Sequence, residues 1–188
     1  MSKNMSWDEF ISESSPISYL ESALIKKAER MYEFVEWVMK NNVNFDDSLM
    51  GDIQHTTELY MGGILETLTG KPLGVIYGNG RIPHDVSKVY KDLFFKGNIE
   101  KLNVRFMKGY DNALRDIYYD WRDTRFLLDE MDVRKNQITV VEHAETMEKT
   151  KEFCELFLER YNEYLLKQQK ENSNPSKKQS NKECLGMD

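Results

Sequence analysis

IQHTTELYMGGILETLT, residues 53–69, is the stretch on which the fold turns. Apolar side chains recur through it at helical spacing. Only His55, Glu58 and Glu66 can carry charge near neutral pH. In a chain that is 31% charged, a helix this poor in charge belongs at the centre of a bundle, with other helices around it. Polar groups held there are either satisfied internally or line a site. The Gly62-Gly63 pair costs roughly 1 kcal/mol per glycine relative to alanine in a helix interior. That cost points to a very close neighbour, which the sequence leaves open as another helix, a ligand or a second subunit.

The flanking sequence is also helical in pattern. Ser15-Pro16 reads as an N-cap with proline at the first helical position. Behind it Ile17, Leu20, Leu24, Ala28, Met31, Val35 and Val38 recur at steps of three and four, and Asn41-Asn42 is a stop. The central helix begins near Asp46 or Asp47, and Gly70-Lys71-Pro72 ends it. Residues 72–83, with Gly74, Gly78 and Gly80, read as a loop. A short helix over 85–95 turns Val86, Val89, Tyr90 and Leu93 inward. A long helix over 99–130 carries the stripe Phe106, Tyr110, Ala113, Leu114, Ile117 and Trp121. A last helix over 139–167 aligns Ala144, Met147, Cys154, Phe157, Tyr161 and Tyr164. The expected fold is all-α: an antiparallel four- to five-helix bundle with a short extra helix and a disordered C-terminal tail. Its divisions are an N-terminal arm (1–15), a single bundle domain (16–167) and a polar tail (168–188).

A chain of 188 residues suits one domain with a real core, and 40% hydrophobic residues exclude a disordered protein. No apolar run approaches the roughly 20 residues a membrane-spanning helix needs. The first residues, MSKNMSWDEFISES, have neither the basic nor the apolar region of a secretory signal. Cys154 and Cys184 fit a reducing cytoplasm and offer no metal-ligand spacing. A cytoplasmic protein without metal or cofactor is the expectation. Net charge is −6, and the lysine-rich tail makes the body more acidic still. That balance argues against a broad phosphate-binding surface and leaves room for a local basic groove.

Two constellations could carry chemistry. His55 and Glu58, three apart, share a helix surface, and His84-Asp85 stand where a carboxylate is favoured at the start of the next helix. Together they could form a pocket that takes a proton, a metal or a nucleotide. The commoner reading is a hydrogen-bonded pair and a plain cap. A metal site needs three or four converging ligands, and no H-x-x-x-H or H-E-x-x-H pattern occurs. The second constellation is YYDWRDTRF, residues 118–126, where Arg122 and Arg125 alternate with aromatic side chains able to stack bases. Asp120, Asp123, Asp129 and Glu130 flank those arginines, and ion pairing along the helix would neutralise them.

In this order of elements the chain resembles the HEPN superfamily, small helical domains of prokaryotic defence, toxin and nucleotide-metabolism systems. The resemblance spans about residues 18–130. It rests on SALIKKAERMYEFVEWV, then QHTTELYMGGILETL, a Gly/Pro loop, IPHDVSKVYKDLF and the later YYDWRDTRF. Glu58 stands where the family helix commonly has a glutamate, and His84-Asp85 look like its His-Asp before the short helix. Nuclease members use an R-x4–6-H motif, and no arginine here precedes a histidine at that spacing. Arg81 is three residues before His84, and His143 is eighteen after Arg125. The resemblance therefore implies a non-catalytic, dimeric module for a nucleotide, an RNA or a protein partner, in a phage defence or counter-defence setting. Its ligand contacts would be Arg81, His84, Asp85, Arg122 and Arg125, with His55 and Glu58 shaping the pocket. Two alternatives are a degenerate ribonuclease or nucleotide-processing enzyme with His84 as acid or base, and an acidic protein that masks a nucleic-acid-binding surface on a partner.

Overall fold

In a computed structural model of the chain, residues 22–41, 47–77, 82–124 and 133–172 are described. Among them the fold is all-α, with six α-helices, one 3-10 turn and no strand. The helices are α1 (Ala23–Asn41), α2 (Asp47–Thr69), α3 (Leu73–Tyr77), α4 (Val86–Phe95), α5 (Tyr110–Thr124) and α6 (Val133–Asn172), with the 3-10 turn at Ile99–Leu102. No helix among the described residues is long and apolar enough to cross a membrane.

α2 is the centre of the bundle, and its packing is mainly against α1 and α6, then α5 and α4. Between residues 53 and 69 every side chain is buried except His55 and Glu66, which are half-buried. Three of its hydroxyls survive burial by local bonding: Thr56 donates to the Asp52 carbonyl at 2.7 Å, Thr57 to Ile53 at 2.9 Å and Thr69 to Leu65 at 2.7 Å, while the Thr67 and Tyr60 hydroxyls are buried without a partner among the described residues. Side-chain contacts give the directions. The start of α1 meets the end of α2, through Ser22 and Ile25 against Gly63. Val35, further along α1, packs with Leu49, Met50 and Ile53 at the start of α2. α5 runs antiparallel to both α2 and α6: Trp121 lies over Gly51, Asp120 meets His143, and Tyr110 meets Thr150. Successive long helices are thus antiparallel.

The glycine pair closes a crossing inside the chain. A Cβ on Gly63 would fall 2.3 Å from Ile25 Cγ1, so only glycine lets α1 come this near. Gly70, at φ 63, ends α2 in the left-handed conformation as its position in the sequence predicts.

Three expected boundaries shift. Residues 72–83 are not loop throughout, because Leu73–Tyr77 forms a helical turn whose first N–H, that of Leu73, is accepted by Glu66 Oε1 at 3.1 Å. The helix expected over 99–130 is interrupted. Asn98 (φ 49) and Asn103 (φ 60) take left-handed conformations on either side of the 3-10 turn, and an irregular stretch leads through Gly109 (φ 86) into α5. Phe106 sits in that irregular stretch, within 5.1 Å of the Tyr90 ring and 5.2 Å of Phe94. The Tyr90 hydroxyl accepts the Met107 N–H at 2.8 Å and ties the stretch to α4. Finally, α6 is longer than expected and carries 168–172, assigned above to the tail. The arm 1–15, the Ser15-Pro16 cap, Ile17 and Leu20, and residues 173–188 lie outside the described residues.

Candidate functional site

Where the chain enters α4 it crosses α2, and the crossing is polar. Glu58 is buried on α2, its side chain only 10% exposed. A buried carboxylate requires donors, and it has them. Its Oε1 accepts from Gln54 Nε2 at 2.8 Å and from His84 Nδ1 at 2.7 Å. Gln54 Nε2 also donates to the His84 carbonyl at 2.7 Å, so two acceptors fix the orientation of its amide. Gln54 Oε1 is buried without a hydrogen-bond partner among the described residues. On the other side of the carboxylate, His55 Nδ1 lies 3.6 Å from Oε2, and Lys27 Nζ approaches His55 Nε2 at 3.2 Å. Because an ammonium only donates, the neutral His55 ring keeps its proton on Nδ1, facing Glu58.

The consequence falls on His84. With Nδ1–H given to Glu58, the neutral ring presents Nε2 as its acceptor, and the side chain is 53% exposed. The Trp121 ring lies 5.6 Å away, tilted by 48°. From Trp121 the aromatic surface continues to Tyr118 at 6.2 Å and on to Tyr119 at 5.2 Å. The crossing thus offers one oriented, half-exposed imidazole, buffered from behind by a carboxylate, beside an indole face. Such a group can hold a hydrogen bond to a ligand or move a proton, the arrangement by which a third residue orients a base.

The structure brings together His55, Glu58 and His84 from among the expected site residues. Asp85 stands at the N-cap of α4, yet its carboxylate makes no capping bond to the backbone; it takes the Ser87 hydroxyl and faces Lys88 at 3.6 Å. Arg122 follows the commoner reading. Asp123 accepts from its Nε at 3.0 Å and its Nη2 at 2.9 Å, and the guanidinium lies 4.7 Å over the Tyr119 ring. That pairing holds Arg122 firmly protonated, with the Asp123 carboxylate the main cause. Arg81 and Arg125 lie outside the described residues.

Three pairings are not given by the sequence pattern. Gln54 was visible in principle, one helical turn before Glu58 on the same face. Trp121 reads both as core by periodicity and as a member of the cluster able to stack bases, and nothing in the sequence pairs it with His84. His143, buried on α6, bonds Asp120 of α5 through Nε2 at 2.8 Å, across twenty-three residues. Among the described residues no group of three or more His, Cys, Asp or Glu side chains could hold a metal ion. Set against family models, curated proteins and solved structures, the chain matches none.

Proposed function

We propose that the corner built by Glu58, His84 and Trp121 is the ligand site of a HEPN-like helical module, and that its ligand is a nucleotide or an unpaired RNA base. The observation that carries this reading is the 2.7 Å bond from His84 Nδ1 to buried Glu58, which gives the half-exposed ring a set tautomer beside an indole. A planar heteroaromatic ligand needs those two things: a directional hydrogen-bond partner and a face to stack on, the latter contributing about 1–3 kcal/mol per base. The dimeric state and the defence setting follow from the HEPN resemblance.

Native mass spectrometry of the purified protein, followed by calorimetric titration with nucleotides and short oligoribonucleotides, tests the reading. Binding that weakens at least tenfold in His84→Ala supports it. A ligand-free protein that binds none of the panel refutes it.

The same bond favours a second reading, in which His84 acts as a general base or acid and Glu58 positions it. Turnover of a bound nucleotide or RNA that falls a hundredfold in Glu58→Gln, with binding changed less than threefold, would select catalysis over simple recognition.

A further inference from the structure

A cleft of about 370 Å³ opens between the irregular stretch after the 3-10 turn and the middle of α6, within the ~300–1,000 Å³ typical of small-molecule sites. Its floor is Phe153, buried and held by the rings of Tyr90 at 5.3 Å and Tyr110 at 6.3 Å. Such a floor is formed before any ligand arrives. Met107 and Leu156 make apolar walls, and both stay substantially exposed. The Met107 backbone is itself anchored to the Tyr90 hydroxyl.

The charge around this apolar interior is opposite to that of the protein. Arg105, Lys149 and Arg160 line the cleft against one carboxylate, Glu152, in a chain of net charge −6. Arg160 gives Nη1 to Glu163 at 2.9 Å. Its Nε is buried and has no acceptor among the described residues. The Arg160 side chain as a whole is one-third exposed beside the cleft, so its guanidinium is within reach of an anion held there.

We infer that this cleft binds a small organic anion with an apolar body, an alkyl carboxylate in its simplest form. The carboxylate engages Arg160, with Arg105 and Lys149 adding charge, and the alkyl chain lies on Phe153 between Met107 and Leu156. The cleft shares no lining residue with the Glu58–His84 corner, so the two sites stand or fall separately.

Isothermal titration of the full chain with decanoate, decanol and decyltrimethylammonium tests the inference. Decanoate should bind at least tenfold more tightly than either of the others. Leu156→Glu, which puts a carboxylate in the wall, and Arg160→Gln should each weaken decanoate at least tenfold. Arg105→Gln, on an exposed residue of the irregular stretch, gives a variant whose folding does not depend on the substituted side chain, and it should weaken decanoate about threefold or more. Equal binding of decanol, or unchanged binding in all three variants, would overturn the inference. Failure of decanoate to bind, alongside binding of an acidic amphipathic peptide, would overturn it in favour of a protein partner.

Discussion

Replacing Gly63 by alanine is the sharpest test of the helix crossing that organises this bundle. The new Cβ would stand 2.3 Å from Ile25 Cγ1, 3.0 Å from Ile25 Cδ1 and 3.3 Å from Ser22 Oγ. Reaching an ordinary contact of roughly 3.5 Å requires a displacement of about 1 Å. Ile25 cannot supply it cheaply: it is 2% exposed, and a β-branched side chain in a helix has one strongly preferred rotamer. Overpacking of this kind costs about 1–3 kcal/mol, and a contact this short belongs at the upper end. Alanine recovers about 1 kcal/mol of helix propensity. The net expectation is a loss of about 2 kcal/mol, or roughly 4–8 °C in Tm for a domain of this size. Gly62→Ala is the internal control. Its Cβ would meet Leu73 Cδ1 at 3.1 Å and Leu24 Cδ1 at 3.2 Å, the ends of flexible, half-buried side chains, so its stability should stay within about 0.5 kcal/mol of the parent.

Urea unfolding followed by circular dichroism at 222 nm gives both values. Ile25→Ala removes the atom struck, so the double variant Ile25→Ala/Gly63→Ala should be more stable than the sum of the singles by at least about 1 kcal/mol. A Gly63→Ala protein as stable as the parent, or strictly additive energies in the cycle, would refute the crossing geometry.

Three further outcomes follow from buried polar groups. Thr150 Oγ1 donates to the Thr146 carbonyl, so the Tyr110 hydroxyl must donate to Thr150; Thr150→Val should cost about 1–3 kcal/mol in urea unfolding, and most of that should vanish in a Tyr110→Phe background. Burial pushes the phenols of Tyr77 and Tyr161 up to about 12 from an ordinary 10.0. Above pH 10 the unfolded chain therefore releases protons that the folded one keeps, and the urea midpoint should fall steadily between pH 10 and 12, whereas a flat midpoint would contradict the burial of these rings. Burial also raises the Cys154 thiol. In a Cys184→Ser chain Ellman's reagent at pH 8 should leave the native protein unmodified and react once urea unfolds it, and rapid native labelling would place that thiol at the surface.

Much of this architecture was written locally. Residues 53–69 are almost free of charge, and that alone puts α2 at the centre, because a helix with no charged face has nowhere to meet water. The inward stripe of α4, the Gly70 terminator and the demand for a close neighbour at Gly62-Gly63 were legible for the same reason: each depends on spacings of four residues or fewer. The break at Asn98–Asn103 was harder to see. Asparagine tolerates a left-handed backbone without requiring it, and the apolar residues from Phe106 onward continue in helical register across the break.

What the tertiary structure alone decided are pairings between residues far apart in sequence. His84 reaches Glu58 across twenty-six residues, Asp120 reaches His143 across twenty-three, and the basic cleft joins Arg105 to Arg160. Arg122, by contrast, is taken by the carboxylate next to it, a local pairing that the flanking aspartates already offered in the sequence. Helical periodicity is a property of neighbouring turns and can be read from one strand of text. Which side chains meet across a bundle depends on how loops of no fixed pattern set helix rotation and height, and that information is spread over every contact the helices make.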